Sequence, residues 1–493
     1  MRYNILFGGK AGQGPNVLTN LLGDALAKKG YYVFYSRDYQ SLIRGGHNFN
    51  MLTFSDKPIH SNESKIDIIV ALDENTLRIH KDNLKKNCII LGGKYPNMHF
   101  SGNLFKILGF EFEDLDRELK ELKRKYKENV VEAKKGFEEK KCEIELKKIK
   151  GNKGKFLSGT QGIALGAVKS GLDIYYGYPM TPSTPILGEL AGMQEEKNIL
   201  VVEIENEIGV ANAGIGSAIT GAKTMIGTSG GGFDLMTESL SLMGIAEVPM
   251  VIYLAQRAGP STGVPTYNSQ GDLDIARHAG HGEFNRVVLA PGDPREAQEL
   301  TNQCFYFSQK HKVPAIVLSD KHLAESYYIL PQKPKIVSVG KNTKWKRYSS
   351  YEQGPNGSST EKPELINRNV EKRIKVGKEI IKDSKKFPMY EIYGKKNSKN
   401  LVVSWGSTKG AILDSIEDLN CAFLQIKYIE PFPDIEKLLK GKNIILIENN
   451  ATGLLGNLIR EKTGIKIEKK ILRYDGRPFL SDELEKDIRG NLK

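Results

Sequence analysis

The chain has 493 residues, enough for about three domains with full hydrophobic cores, and its 72 Lys and Arg against 59 Asp and Glu leave a net charge of +13. No apolar run approaches the roughly 20 residues that span a bilayer, and the N-terminus enters strand-like sequence without a signal-peptide pattern, so a cytoplasmic protein with no membrane association is expected. The basic residues are spread out and interleaved with Glu rather than gathered on one aromatic-bearing segment, which argues against nucleic acid and leaves acidic small molecules or an acidic protein as partners.

Residues 1–150 read as a first α/β block. Apolar residues 3–7 make a strand, Gly8-Gly9-Lys10-Ala11-Gly12-Gln13-Gly14 a tight loop, Pro15 starts a helix to residue 29, and residues 31–35, 66–72 and 88–91 are further strand-length runs. From residue 111 to 155 the composition shifts to 15 Lys/Arg and 12 Asp/Glu, with Leu115, Leu119, Leu122 and Tyr126 spaced as one apolar stripe. That spacing predicts a charged helix laid against a domain surface.

A second block, residues 151–330, alternates helix with short apolar strands at 172–176, 200–203, 223–226, 248–254, 287–289 and 315–318, the pattern of a doubly wound parallel sheet. Residues 331–398 are rich in Lys, Gly, Ser and Pro and read as a linker with an exposed loop at 351–360. Residues 399–493 form a smaller third α/β block, with strands at 401–404, 422–426 and 443–448.

The chemistry-bearing residues concentrate in the second block. Tyr178-Pro179-Met180-Thr181-Pro182-Ser183-Thr184-Pro185 packs three prolines into a rigid loop after a strand and offers three hydroxyls. Glu207 opens a helix of Gly, Ala, Ile and Val; it reads either as a dipole-compensating surface acid or as a carboxylate in an apolar crevice, suited to proton transfer. Thr228-Ser229-Gly230-Gly231-Gly232 follows an apolar strand, and three consecutive glycines would let a ligand approach the backbone closely. Arg257 ends the next strand, where it can clamp a carboxylate bidentately or make a surface ion pair.

The combination resembles the 2-oxoacid:ferredoxin oxidoreductases, a family of thiamine diphosphate enzymes. Tyr178-Pro179-Met180-Thr181-Pro182 stands where the family has Tyr-Pro-Ile-Thr-Pro, and the segments 203–234 and 251–274 follow in the family order. The glycine loop at 8–14 with Ser41-Leu42-Ile43-Arg44-Gly45-Gly46 is similar to the gamma subunit. Trp405-Gly406-Ser407-Thr408-Lys409-Gly410, Glu430-Pro431-Phe432-Pro433 and Glu448-Asn449-Asn450 resemble the transketolase C-terminal-like domain. The resemblance covers nearly the whole chain in a gamma-to-alpha fused order, although residues 351–367 match nothing in that pattern.

The resemblance implies an α/β protein of three domains: a Rossmann-like gamma domain, a doubly wound thiamine pyrimidine-binding domain and a transketolase C-terminal-like domain. It implies that Glu207 hydrogen-bonds N1′ of the aminopyrimidine, that Thr181 contacts the reacting end of the substrate, and that Arg257 holds the substrate carboxylate. Tyr178, Pro179, Thr228, Ser229, Gly230, Gly231 and Gly232 would line the cofactor, and Gly12, Gly14, Arg44, Gly45 and Gly46 are the candidates for coenzyme A. The implied reaction is oxidative decarboxylation of a 2-oxoacid, 2-oxoglutarate or a broad range, to acyl-CoA and CO2, with electrons passed to ferredoxin.

Cys88, Cys142, Cys304 and Cys421 lie too far apart for any Cys-x-x-Cys pair, and the chain lacks the Gly-Asp-Gly…Asn-Asn motif that holds diphosphate and metal. Mg2+ and the [4Fe-4S] cluster are therefore expected in a separate beta subunit, in a heterodimer or dimer of heterodimers, with no metal site in this chain. Two other readings stand beside this one: a nucleotide-binding protein using the N-terminal glycine loop, and a non-catalytic scaffold subunit.

Overall fold

Buried strands with β-branched and aromatic residues set the frame of the computed structural model, which describes residues 1–41, 46–122, 125–151, 154–330, 332–341 and 347–492. The chain divides into two units. One comprises Met1–Ser158, Glu325–Gln332 and Phe479–Lys486; the other Gly159–Ala324, Lys333–Pro478 and Asp487–Lys493.

The first unit is built on a seven-stranded sheet in the order Leu84–Gly92, Ile66–Ala71, Arg2–Gly9, Asn48–Ser55, Tyr32–Asp38, Tyr327–Leu330, Lys155–Ser158. The first three run parallel, and antiparallel pairing takes over from Asn48–Ser55 onwards. That strand escaped the sequence reading because polar residues interrupt it. They are satisfied inside the sheet: the Thr53 hydroxyl donates to Asn4 Oδ1 at 2.8 Å, and Asn62 Nδ2 donates to Thr53 Oγ1 at 2.9 Å. The sheet also takes Lys155–Ser158 and Tyr327–Leu330, two strands that lie within the stretch read from sequence as the second block.

The charged stretch after residue 111 is two helices rather than one, Phe112–Glu121 and Tyr126–Glu138. Leu115 and Leu119 are fully buried in the core of this unit, so the apolar stripe is a core face and not a surface contact. Glu118 is buried beside it and paired with Lys28 at 2.8 Å. The helices Asn97–Ile107 and Tyr126–Glu138 approach so closely that a Cβ on Gly102 would lie 1.9 Å from the Ala133 carbonyl oxygen, and one on Gly136 would lie 2.0 Å from that of His99. Only glycine fits at this crossing.

The second unit holds two sheets. The larger runs Tyr428–Glu430, Val287–Leu289, Pro314–Asp320, Met250–Gln256, Thr224–Thr228, Ile174–Gly177, Leu200–Glu203, parallel apart from the first pair. The smaller runs Tyr390–Gly394, Ala422–Ile426, Asn400–Trp405, Asn443–Glu448, Lys469–Leu472, again parallel except at its first strand. The stretch 331–398 is thus more than a linker. It supplies Tyr390–Gly394 and the 22-residue helix Pro363–Ser384, and Arg373 of that helix pairs at 2.6 Å with Glu352 of the 351–360 loop. Among the described residues no helix is long and apolar enough to cross a membrane.

A buried ionic cluster ties the two sheets of this unit together. Lys409, on helix Thr408–Ser415, places its ammonium 2.5 Å from Asp293 Oδ2 and 2.7 Å from Glu296 Oε1 at the start of helix Pro294–His311. Gln425 Nε2 donates to the other Glu296 oxygen at 2.7 Å. Burial opposes these charges, yet the Lys409 ammonium overcomes it and holds Asp293 down at about 2, while the two carboxylates hold Lys409 well above its ordinary value. Removing the cation alone leaves two buried carboxylates facing each other. Lys409→Met should therefore cost about 3–5 kcal/mol at neutral pH in denaturant unfolding, with the deficit narrowing toward pH 5 as the orphaned carboxylates take up protons.

Candidate functional site

Four neighbouring parallel strands of the larger sheet end on the same edge, and each delivers one of the expected residues. Ile174–Gly177 leads into the proline loop, Leu200–Glu203 into Glu207, Thr224–Thr228 into Ser229 and the glycines, and Met250–Gln256 into Arg257. The carboxyl edge of a parallel sheet is where α/β proteins bind ligands, because side chains there leave the strands without competing for the core.

Glu207 is the first residue of helix Glu207–Ile219. Asn206 caps that helix, its Oδ1 accepting from the Gly209 amide at 2.7 Å, which leaves the Glu207 carboxylate free of capping duty. Of the three acids at 203, 205 and 207, only Glu207 is buried, at 4% exposure, and its Oε1 has no hydrogen-bond partner. A buried carboxylate oxygen without a partner is costly, and the cost persists where a ligand supplies the missing hydrogen bond.

The glycine triplet, read from sequence as a place where a ligand can approach the backbone, already lies in a helix. It forms the first turn of helix Gly230–Leu235, which Ser229 precedes without a side-chain cap, and two of its members are glycine for the sake of protein neighbours. A Cβ on Gly232 would lie 2.2 Å from Thr228 Oγ1 and 2.7 Å from Glu207 Oε1, and one on Gly230 would lie 2.6 Å from Asp272 Oδ2. Gly231 alone is open, with nothing nearer than the Ser261 carbonyl oxygen at 3.9 Å. Ser229 is fully buried with its hydroxyl unpartnered, and Thr228 is fully buried beside Met180, its Oγ1 3.9 Å from the sulfur.

Arg257 joins the proline loop to this cluster, Nη1 donating to the Thr181 carbonyl oxygen at 2.9 Å while Nε is buried without a partner. Burial lowers the guanidinium's proton affinity, and Asp272 and Glu207 oppose that shift. The bland alternative for this residue, a surface ion pair, does not hold among the described residues. In the proline loop, Ser183 is buried and its hydroxyl is spent on the Met180 carbonyl at 2.7 Å, so Ser183 is not offered to a ligand. Thr181 is half-buried, Tyr178 is half-buried against the apolar core, and Pro179 is exposed.

Asp272 is the residue that sequence reasoning passed over. It stood inside a matched motif without a role, because nothing in Gly271-Asp272-Leu273 reveals that one carboxylate oxygen is dry and without a partner. Burial, with Asp234 adding to it and Arg257 opposing, lifts its carboxyl to about 6.

The candidates for coenzyme A lie in the other unit. Gly12 and Gly14 both have positive φ, 93° and 87°; Gly12 is open, whereas a Cβ on Gly14 would meet Asn97 Nδ2 at 2.5 Å. Gln13 braces the loop, accepting from the Lys10 amide at 2.6 Å and donating to the Leu72 carbonyl at 3.0 Å. Gly46 has φ 69°, and Arg44 and Gly45 lie outside the described residues.

The close contacts make a stability test with an internal control. Gly232→Ala must push a Cβ into Thr228 and Glu207, and thermal unfolding should show a loss of about 1–3 kcal/mol. Gly216→Ala, on an exposed turn of helix Glu207–Ile219 with nothing within 4 Å, should instead gain about 0.5–1 kcal/mol.

Comparison with known proteins agrees with this geometry. Residues 165–387 match the family described as pyruvate flavodoxin/ferredoxin oxidoreductase, thiamine diphosphate-binding, and residues 4–132 match pyruvate ferredoxin/flavodoxin oxidoreductase. The chain is 30% identical to the 2-oxoacid:ferredoxin oxidoreductase subunit alpha of a Sulfolobus species, over 99% of this chain and 96% of that one. It is also 30% identical to the 2-oxoglutarate synthase subunit KorA of Methanocaldococcus jannaschii, over 69% of this chain and all of that one. A solved 2-oxoglutarate:ferredoxin oxidoreductase from Magnetococcus marinus, with 2-oxoglutarate, coenzyme A and succinyl-CoA bound, shares the fold along the whole of both chains at a TM-score of 0.90 and 22% identity. A sheet edge of this construction and full-length similarity to such relatives place the chain in the 2-oxoacid:ferredoxin oxidoreductase family, as an alpha subunit with a thiamine diphosphate-binding domain.

Proposed function

We propose that Glu207, Ser229, Gly231 and Arg257 form this subunit's half of a thiamine diphosphate site, completed by a separate beta subunit that brings Mg2+ and the [4Fe-4S] cluster. The observation that carries the reading is the Glu207 Oε1 atom, buried and without a hydrogen-bond partner beside Gly232. The residues present fit the cofactor: an unpartnered carboxylate oxygen suits a ring nitrogen that shares a proton, and the open face of Gly231 admits a flat group against the backbone.

Thiamine diphosphate, when bound, supplies the electron sink for decarboxylating a 2-oxoacid. Glu207 would hold the aminopyrimidine ring and share a proton between Oε1 and N1′. Arg257, tied to the loop through the Thr181 carbonyl, would turn its unpartnered Nε toward the substrate carboxylate, and the Thr181 side chain would face the reacting end. Tyr178 and Pro179 would flank the cofactor from the same loop. Coenzyme A is assigned to the N-terminal unit, at the Gly12 and Gly14 loop and the Arg44 to Gly46 segment, and electrons leave singly for ferredoxin. The relatives favour 2-oxoglutarate or a broad range of 2-oxoacids as substrate; the working form in this reading is a cytoplasmic heterodimer or dimer of heterodimers.

The test is reconstitution. The chain, co-purified anaerobically with its beta subunit and loaded with thiamine diphosphate and Mg2+, should reduce a viologen with coenzyme A and at least one of pyruvate, 2-oxobutyrate, 2-oxoglutarate or 2-oxoisovalerate. Failure with all four overturns the reading. Glu207→Gln should lower the rate about 10²–10⁴-fold, the usual contribution of a positioned acid or base, whereas a scaffold subunit would tolerate the change. Thr181→Val should raise KM or lower kcat while the two chains still co-purify.

A further inference from the structure

Asp272 sits at the start of helix Leu273–His278, the position where an Asp side chain ordinarily accepts an amide hydrogen bond from the first turn. Here it makes no such cap. Its backbone serves the helix, the carbonyl accepting from the Ala276 amide at 3.0 Å, while the carboxylate turns back toward Gly230. Oδ2 is buried, has no hydrogen-bond partner, and occupies the space that any side chain at Gly230 would need, 2.6 Å from its Cβ position.

The residue is held there firmly. Its amide donates to Gln256 Oε1 at 2.9 Å, and the fully buried Gln256 donates in turn to the Ser319 carbonyl at 3.0 Å. Gln256 immediately precedes Arg257, so one rigid strand end positions both Asp272 and the guanidinium. The charged groups that act on Asp272 are Asp234, from helix Gly230–Leu235, and Arg257; those that act on Arg257 are Asp272 and Glu207. A half-buried acid that forgoes its cap, keeps one oxygen dry and without a partner, and acts through space on the one arginine of the site is poorly explained by stability.

We propose that Asp272, held at the same strand end as Arg257, is a positioning residue that sets the charge balance there: ionised, its negative charge offsets the pull of the guanidinium on the substrate carboxylate, and protonated on Oδ2, it leaves that pull whole. Binding of a 2-oxoacid is thereby coupled to uptake of one proton from water onto Asp272, and release of the acid returns it. The inference rests on the reading of Arg257 as the substrate-carboxylate ligand. A carboxyl poised at about 6 makes the coupling operate across the neutral range. The sign follows: below that value Asp272 is already neutral and binding needs no proton, whereas above it each unit of pH weakens binding by up to tenfold.

The experiment uses the reconstituted complex loaded with thiamine diphosphate and Mg2+. Oxamate, an unreactive 2-oxoacid analogue, is titrated calorimetrically at pH 7.5 in two buffers of different ionisation enthalpy, and KM for the accepted 2-oxoacid is measured from pH 5.5 to 8. The proposal expects uptake approaching one proton and a KM that climbs severalfold to tenfold per unit above pH 6. In Asp272→Asn both the uptake and the slope should vanish, the ratio of KM at pH 8 to KM at pH 6 falling toward one. No proton uptake by the unaltered complex, or an unchanged slope in a folded Asp272→Asn, overturns it. Arg257→Met separates the two levels: unchanged oxamate affinity in that variant overturns the Arg257 reading itself, whereas lost affinity with an unchanged Asp272→Asn slope overturns only the role of Asp272.

Discussion

A carboxylate can be buried at the start of helix Glu207–Ile219 only because no side chain grows from Gly232. The oxygen atoms of Thr228 and Glu207 occupy the volume that a methyl group there would fill, at 2.2 and 2.7 Å from its position. Two helices that follow strands on either side of Ile174–Gly177 are thereby brought into contact at their first turns, and the acid is left dry with one oxygen unpartnered. The same device recurs two residues earlier, where Gly230 makes room for Asp272. The triplet is best understood as two steric vacancies for protein acids flanking one residue whose backbone is open.

Burying acids is expensive, and the protein handles its buried acids in two ways. Around Lys409 the charges are fully paired: Asp293 and Glu296 share one ammonium, and the remaining lone pairs are taken by the Glu296 amide and Gln425. Such a cluster locks elements together and offers nothing to a ligand. Around Arg257 the pairing is incomplete. Glu207 Oε1, Asp272 Oδ2, Ser229 Oγ and Arg257 Nε are all buried and all lack partners among the described residues. Unsatisfied polar atoms collected at the carboxyl edge of a parallel sheet distinguish a binding site from a structural network.

Much of the second unit was legible from periodicity. Strands at 200–203, 287–289 and 422–426 coincide with the observed ones, because short apolar runs between turns have few alternatives in an α/β protein. Asn48–Ser55 was illegible, since its Asn and Thr residues are buried only by virtue of hydrogen bonds to residues distant in sequence. The sheet membership of two short strands was illegible for a related reason. Lys155–Ser158 and Tyr327–Leu330 are four-residue strands whose membership depends on which sheet has a free edge, and Tyr390–Gly394 hides in a Lys-rich stretch because it lies at the rim of its sheet.

By itself the sequence determined the α/β class, the order of the motifs and the identity of Thr181, Glu207 and Arg257 as the residues to watch, since spacing, turn chemistry and residue type are local properties of the chain. Only the tertiary structure decided which polar groups are dry and unpaired. It buried Glu207 while leaving Glu203 and Glu205 exposed, withdrew Ser183 by spending its hydroxyl on the loop, assigned two of the three glycines to protein contacts, and brought forward Asp272. Burial and hydrogen-bond satisfaction depend on segments tens of residues apart meeting at one sheet edge, and no local pattern encodes that meeting.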